Sequence, residues 1–448
     1  MARLFGTDGV RGVANADLTC NLAFRLGQAG AYVLGNNVHR PTLLVGRDTR
    51  ISGEMLESAL VAGICSVGAR AVLVDVLPTP GIAYLTRYYG ADAGVVISAS
   101  HNTVEYNGIK FFDGNGCKLP DELEDRIEAI IEKGDPDMAL PTGVKIGRRV
   151  RQVNAQRRYI DFVKETTTER LEGLHIVVDC AQGAAYQVAP QALRELGATV
   201  SVYYHEPDGT NINENCGSTH PERLCELVRE LGADIGLAFD GDADRLITVD
   251  ERGQVVNGDQ VMCICAVHMK EQGTLRHNTL VSTVMSNMGL DIALKKHGIH
   301  NVKTKVGDRY VLEKMLQEGF SLGGEQSGHV IFLEHNTTGD GLITAIQLLS
   351  VIVKTKQSLG RLSKVMQVLP QSLYAAQVSD QRKYDFDKDD EIVKAIKALE
   401  QKYEGRGRVL VRASGTEPLV RVMIEGENQY EMDTDVYQLS MLIEKKLQ

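Results

Sequence analysis

Ala91-Asp92-Ala93-Gly94-Val95-Val96-Ile97 runs without a break into Ser98-Ala99-Ser100-His101-Asn102. The same order, an Ala-Asp pair, a short apolar run and an abrupt polar loop, returns at Ala233-Asp234-Ile235-Gly236-Leu237-Ala238-Phe239, which ends in Asp240. Apolar runs of this length, bounded by polar residues, read as buried strands. Working outward, each is preceded by two more strand-like segments set between longer amphipathic stretches. These are Thr42 to Val45 and Gly68-Ala69-Arg70-Ala71-Val72 before the first run, and His175 to Val178 and Gly197-Ala198-Thr199-Val200 before the second. A fainter third copy has Thr279 to Val284, Gly298 to Thr304, and Phe320-Ser321-Leu322 leading to Gly323-Gly324-Glu325.

Strands alternating with helix-length stretches predict an α/β protein with largely buried strands. The expected organisation is three similar mixed α/β domains, 1–150, 151–253 and 254–367, then a smaller α+β domain over 368–448 whose features come in a different order. Gly134 to Thr142, rich in Gly, Pro and Asp, reads as a linker after the first unit. Ligands of α/β sheets gather at the carboxyl ends of strands, so three such loops are expected to face one central cleft. The competing reading is that any three α/β domains look alike at this level.

The chain has 448 residues, long enough for about three or four domains. Lys plus Arg number 49 against 59 Asp plus Glu, a net charge of −10, the wrong sign for a protein that coats nucleic acid. An anionic ligand must therefore meet locally gathered positive charge. The longest apolar stretch, Leu342 to Val353, is too short and interrupted to span a bilayer, so no membrane partner is expected. The opening Met1-Ala2-Arg3-Leu4-Phe5-Gly6-Thr7-Asp8 lacks the apolar core of a secretory signal, which makes the cytoplasm the expected compartment. Eight scattered cysteines, without a Cys-x-x-Cys pair or a Cys-His cluster, read as reduced, mostly buried thiols.

Four loops and the opening carry residues suited to chemistry. Ser98-Ala99-Ser100-His101-Asn102, followed by Asn107-Gly108-Ile109-Lys110, places a hydroxyl, an imidazole and an ammonium in one excursion. His101, as the immediate neighbour of Ser100, is poorly placed as the base of a triad, and such a loop also serves as a plain turn. Asp240-Gly241-Asp242-Ala243-Asp244-Arg245 is more specific: carboxylates at i, i+2 and i+4, separated by small residues, can converge on one hard cation such as Mg²⁺. An EF-hand is the rival, since Glu251 falls at the twelfth position, but Arg245 stands where the sixth needs glycine and the flanks read as strands. A solvated acidic turn is the remaining alternative, against which stands the mutual repulsion of three clustered acids.

Gly323-Gly324-Glu325-Gln326-Ser327-Gly328-His329 offers a carboxylate, a hydroxyl and an imidazole suited to the hydroxyls or amine of a sugar, although glycine-rich polar turns also occur for structure alone. Arg412-Ala413-Ser414-Gly415-Thr416-Glu417-Pro418, then Arg421, sets two guanidiniums around a hydroxyl-rich turn able to cradle a phosphate, or is a turn flanked by ordinary surface arginines. Phe5-Gly6-Thr7-Asp8-Gly9-Val10-Arg11-Gly12 either brings Arg11 to an anion or is a glycine turn before the first helix.

Together and in this order, these five motifs resemble the α-D-phosphohexomutase superfamily over nearly the whole chain, and within it the bacterial phosphoglucosamine mutases. The opening FGTDGVRG and Gln326 in the sugar loop carry the resemblance to the glucosamine branch. The resemblance implies four domains around a central cleft, the last a mobile phosphate-binding domain. It implies an isomerase that interconverts glucosamine 6-phosphate and glucosamine 1-phosphate, toward UDP-N-acetylglucosamine, through a phosphoserine and a 1,6-bisphosphate intermediate. Ser100 would carry the phosphoryl group, and Asp240, Asp242 and Asp244 would hold Mg²⁺ against it. Glu325, Ser327 and His329 would hold the sugar. Arg412, Ser414, Gly415, Thr416 and Arg421 would hold the non-reacting phosphate, with Arg11, His101, Lys110 and Arg245 lining the reaction centre. A hexosamine or hexose 1,6-bisphosphate would serve as activator, and dimers are common in the glucosamine branch.

Two positions depart from the family pattern, Thr103 where many relatives have proline and Ala243 where glycine is common; both are expected to alter loop stiffness alone. A phosphoglucomutase or phosphomannomutase, a metal-dependent sugar-phosphate phosphatase and a silent sugar-phosphate sensor are the competing activities.

Overall fold

The apolar run Ala93–Ile97 is a strand with every residue buried, and so is Ile235–Phe239. The computed structural model describes residues 3–6, 8–35, 40–138, 140–414 and 418–448. They divide into two units, one spanning 1–285 and 297–365 and the other 286–296 and 366–448.

The larger unit holds three sheets. The first contains β1 (Val10–Val13), β2 (Thr42–Arg47), β3 (Arg70–Val76), β4 (Ala93–Ile97), β5 (Tyr106–Asp113) and β6 (Arg148–Arg151), in the order β1-β5-β4-β2-β3-β6. The second contains β7 (His175–Asp179), β8 (Thr199–Tyr203), β9 (Ile235–Phe239), β10 (Leu246–Asp250) and β11 (Val255–Val256), ordered β11-β10-β9-β7-β8. The third contains β12 (Thr279–Thr283), β13 (His300–Thr304), β14 (Leu322–Gly324) and β15 (Val330–Phe332), ordered β13-β12-β14-β15.

One four-strand order recurs in all three: β3-β2-β4-β5, β8-β7-β9-β10 and β13-β12-β14-β15. In each, the first three strands are parallel and the fourth returns antiparallel to the third. Every loop singled out in the three copies is the turn between the third strand and the fourth. The three α/β domains are thus copies of one architecture, as the repeated sequence order predicts.

Glycines permit the tight packing behind these turns. A Cβ at Gly27 would lie 2.2 Å from the Leu60 carbonyl oxygen, and one at Gly63 2.0 Å from that of Phe24, so the helices Cys20–Leu34 and Ser52–Ser66 meet backbone to backbone. Leu26, Leu43, Val45, Leu60, Ile97, Ile109 and Phe111 fill the core beside them. Burying each such large side chain contributes about 1.5–3 kcal/mol.

Two expectations change. The stretch Gly134–Thr142 leads back to the first sheet, where β6 pairs with β3, instead of away to the next domain. Of the eight free cysteines, four are buried and four half-buried.

The smaller unit is α+β, as expected. β16 (Gln371–Gln377), β17 (Arg408–Ala413) and β18 (Leu419–Glu425) form an antiparallel sheet ordered β16-β18-β17. Val420, Val422 and Ile424 pack with Ile392, Met432 and Ile443 of its two long helices, Asp390–Tyr403 and Gln429–Leu447. The helix Met288–Lys296 also belongs here: Asn287 donates to the Leu369 carbonyl (2.9 Å) and accepts from its N–H (3.0 Å), and a Cβ at Gly289 would strike the Gln367 carbonyl oxygen at 1.9 Å.

Candidate active site

Ser100 follows β4 in a left-handed backbone conformation, φ +53°, which an L residue keeps only when its surroundings impose it. They do so here. Ser98 Oγ accepts from the Ser100 N–H (2.9 Å) and donates to Asp48 Oδ2 (2.6 Å). Arg50, fully buried and paired with Asp48 at 2.9 Å, donates to the carbonyl oxygens of Ser100 (3.0 Å), Asn102 (2.7 Å) and Thr103. Asn213 Nδ2 donates to the Ser100 and Asn102 carbonyls, each at 2.9 Å. The hydroxyl is thereby aimed at the second domain, where Ser100 Oγ donates to Asp240 Oδ2 at 2.7 Å.

Asp240, Asp242 and Asp244 are buried, with ligand oxygens within 4.8 Å of one another. Asp240 has both oxygens engaged by the protein, Oδ1 by the Arg245 N–H (3.2 Å), while Asp242 and Asp244 have one each. Asp240 Oδ2 takes Ser100, Asp242 Oδ2 takes Thr79 Oγ1 (2.7 Å) and Lys110 Nζ (3.1 Å), and Asp244 Oδ2 faces His329 Nδ1 (3.4 Å). Asp242 Oδ1 and Asp244 Oδ1 have no hydrogen-bond partner among the described residues. An all-oxygen donor set with two buried orphaned oxygens fits a hard divalent cation. Burial, with the neighbouring charges of Asp244 and Asp242, raises the Asp240 carboxyl well above its ordinary value. For Asp244 burial is outweighed by His329, Lys110 and Arg245, which hold it far below the carboxylate range.

Basic groups surround this cluster in a closed circuit. Lys110 on β5 lies 3.1 Å from Asp242 and 2.8 Å from Asp8; Lys118 lies 2.6 Å from both Asp8 and Asp308; His329 Nε2 lies 3.4 Å from Asp308, and its Nδ1 returns to Asp244. Arg11 pairs with Asp8 at 3.1 Å, and Arg245 Nε lies 3.8 Å from Asp244. Burial opposes the charges on Lys110 and Lys118, but the aspartates prevail and hold both above the ordinary lysine value. His329 behaves likewise: Asp308 and Asp244 overcome burial and push it up to about 9. His101 goes the other way, brought down to about 4 by burial, Arg245 and Arg11. Its Nδ1 is 3.3 Å from Ser100 Oγ, within reach although the sequence placed it poorly for a triad.

In the turn from Glu325 to His329, Glu325 is half-buried and accepts from the Gly307 N–H (3.1 Å), while Ser327 is exposed. In the smaller unit, Arg412 and Arg421 are direct cross-strand partners on β17 and β18. Like charges placed opposite cost stability, and burial together with Arg421 lowers the Arg412 guanidinium below its ordinary value. Ser414 is buried beside this pair, its N–H on the Leu419 carbonyl. Gly415 and Thr416 lie outside the described residues.

The sequence reading missed Asp8, Asp48, Arg50, Thr79, Lys118, Asn213 and Asp308. Asp48-Thr49-Arg50 did carry a signal: charged residues directly after the buried strand β2, at the same strand end as the other loops.

The sequence matches, in order, the four consecutive domains of the phosphoglucomutase/phosphomannomutase family: alpha/beta/alpha domain I over residues 2–138, domain II over 157–253, domain III over 257–369 and the C-terminal domain over 373–435. It is 59% identical to a phosphoglucosamine mutase of Ruminiclostridium cellulolyticum and 58% to one of Clostridium kluyveri, each match covering 100% of both chains. Among solved structures it resembles a phosphoglucomutase/phosphomannomutase family protein of Burkholderia thailandensis, with TM-score 0.81, 24% identity, and 99% of this chain and 98% of that one covered. It also resembles an Aspergillus fumigatus N-acetylphosphoglucosamine mutase solved with GlcNAc-6P and magnesium, with TM-score 0.71, 15% identity, and 99% and 96% covered. The last two likenesses speak for the fold, the first two for the branch. The chain belongs to the phosphoglucomutase/phosphomannomutase family and, within it, to the phosphoglucosamine mutases.

Proposed function

We propose that the chain interconverts glucosamine 6-phosphate and glucosamine 1-phosphate, with Ser100 as the phosphoryl carrier. The observation that carries this reading is the aim of Ser100 Oγ, 2.7 Å from Asp240 and beside the orphaned oxygens of Asp242 and Asp244. Ser100, Asp240, Asp242 and Asp244 would hold a divalent cation, which supplies charge neutralisation to a transferring phosphoryl group.

In the forward direction the Oγ–P bond of phosphorylated Ser100 breaks as a bond forms from phosphorus to O1 of glucosamine 6-phosphate. The O1 proton ends on Ser100 Oγ, giving the 1,6-bisphosphate. After the bisphosphate turns over in the site, its O6–P bond breaks as phosphorus bonds to Ser100 Oγ, the Oγ proton ends on O6, and glucosamine 1-phosphate leaves. Such transfer depends on alignment and charge more than on a strong base. Alignment comes from the fixed turn at Ser100. Charge comes from Arg11, Lys110 and Arg245. His101, neutral at pH 7, offers Nδ1 to the proton in transit. Glu325, Ser327 and His329 would take the sugar, and Arg412, Ser414, Gly415, Thr416 and Arg421 the phosphate that does not react. A hexose or hexosamine 1,6-bisphosphate would load Ser100 at the start, and the cytoplasm is the compartment that fits this substrate.

The test is a ³¹P NMR time course with Mg²⁺ and a trace of glucose 1,6-bisphosphate, offering glucosamine 6-phosphate and glucose 6-phosphate in competition. Faster formation of glucosamine 1-phosphate is expected. Preference for glucose would move the chain to the glucomutase branch, and release of free phosphate would make it a phosphatase. Ser100→Ala should lose both turnover and the phosphoryl increment in the intact mass, and retention of that increment would remove Ser100 from the mechanism.

A further inference from the structure

Lys118 and Asp308 take no part in the chemistry above, yet they are mostly buried, 15% and 18% exposed, at the centre of the charged circuit. Lys118 follows β5 in the first domain, where it bridges Phe112. Asp308 opens the helix Asp308–Glu318 of the third domain, a helix N-terminus being a favourable place for a carboxylate. A buried ion pair contributes little net stability, because desolvation offsets its attraction. Holding one between two domains beside a reaction centre therefore calls for a use.

The use is visible in what the dipeptide Gly307-Asp308 holds. The Gly307 N–H donates to Glu325 Oε1 at 3.1 Å, and the Asp308 carboxylate faces His329 Nε2 at 3.4 Å, so one helix start braces both ends of the sugar loop. The imidazole is confined from behind as well. The Gly339 N–H points at Nε2 from 3.0 Å, and a Cβ at Gly339 would lie 2.5 Å from the ring. Asp308 and Gly339 thus hold Nε2 from two sides, and Nδ1 stays on Asp244 only if the ring plane is kept.

We propose that Lys118 and Asp308 are positioning residues for the phosphoryl transfer: Lys118 fixes the Asp308 carboxylate, and that carboxylate fixes the plane of the His329 imidazole against Asp244. The inference rests on the mutase reading and adds to it two residues that touch neither the phosphate nor the cluster of three aspartates.

The experiment compares wild type with Asp308→Asn, Asp308→Glu and Lys118→Met. For Asp308→Asn, kcat should fall about 10- to 100-fold, the range seen when the partner that orients a metal-ligating histidine is lost, while KM for glucosamine 6-phosphate moves less than about threefold. Asp308→Glu should recover part of the rate, and Lys118→Met should lose less than Asp308→Asn. An unchanged kcat for Asp308→Asn, or a loss carried entirely by KM, overturns the proposal. A second measurement does not depend on turnover: ¹⁵N spectra of histidine-labelled protein, with the His329 signals assigned by their loss in His329→Gln. Asp308→Asn and Lys118→Met should each shift those signals, and unchanged signals in both would overturn the proposal. Absence of glucosamine 1-phosphate formation by wild type counts against the mutase reading, and normal turnover by Asp308→Asn counts against this inference alone.

Discussion

Arg50 donates to the carbonyl oxygen of Ser100 across 3.0 Å, so a guanidinium without any exposed surface sets the left-handed turn that aims the hydroxyl. The same fork reaches Asp48 and the carbonyls of Asn102 and Thr103. A lysine is a point donor that cannot span them all. Arg50→Lys is expected to lower kcat at least about 100-fold by misplacing Oγ, an effect known for displacements near 1 Å. Arg50→Met leaves Asp48 buried and unpaired, and should cost about 3–5 kcal/mol of stability. Turnover assays and urea unfolding check the two effects, and full activity in Arg50→Lys would show that Ser98 and Asn213 suffice to hold the turn.

Asp242 should be the aspartate whose loss is read most directly by cation binding, because its orphaned oxygen has no ion-pair partner, whereas that of Asp244 has Arg245 Nε at 3.8 Å. Calorimetric Mg²⁺ titration of Asp242→Ala is expected to show affinity at least about 10-fold weaker than wild type. Wild type at 100 times its Kd should gain about 2.7 kcal/mol against unfolding, a gain that chelation removes and the variant never shows. An equal stabilisation of both proteins by Mg²⁺ would place the cation elsewhere.

Arg421→Ala should raise KM for the phosphorylated sugar by about 10-fold or more, the loss of one charge-assisted phosphate contact being worth about 1.5–3 kcal/mol. It also removes the like-charge pair with Arg412. An equal weakening toward unphosphorylated glucosamine in a competition assay would separate Arg421 from phosphate recognition.

Asp179 links pH to the same turn. Its carboxylate accepts from the N–H groups of Ala181 and Gly217, each at 2.8 Å, and the Ala181 carbonyl accepts from the Asn213 N–H (2.9 Å). Burial pushes Asp179 up to about 7, more than these two hydrogen bonds pull it down. The folded protein therefore holds this proton more tightly than the unfolded chain, whose Asp value is about 3.9. The resulting stability is fully present below about pH 4 and is lost as pH rises through about 7, a change on the order of a few kcal/mol. Melting temperatures at steps from pH 5 to pH 8 should fall more steeply for wild type than for Asp179→Asn. Parallel curves would mean that Asp179 is already ionised at pH 5.

What the sequence showed and what it hid follow from distance along the chain. The Ser100, Asp240 and Glu325 loops were legible because each is a local event, a buried run ending in a polar turn. Periodicity alone displayed the three copies. The fixed partners of those loops were not legible: Arg50 meets Ser100 across 50 residues, Thr79 meets Asp242 across 163, and Lys118 and Asp308 stand in different domains. No local pattern links such pairs, since each is brought together only after separate sheets have formed and packed. The assignment of Met288–Lys296 to the smaller unit was hidden for the same reason, being decided by Asn287 and Gly289 against Leu369 and Gln367.

The antiparallel return after each third strand carries a consequence for how this protein can change over evolutionary time. Phe239 pairs with Leu246 and Gly324 with Val330, so the intervening turns span 240–245 and 325–329 between fixed anchor points. Side chains on a strand alternate faces, and losing a single residue from either turn would turn every following side chain of the return strand to the opposite face. Substitutions in these turns can retune chemistry except where backbone crowding forbids a side chain, as at Gly241 and Gly328, where a Cβ would lie 2.5 Å from the Ser100 and 2.2 Å from the Leu246 carbonyl oxygen, whereas insertions and deletions of odd length break the domain itself; divergence at this centre is expected to run through exchange of residues at constant loop length.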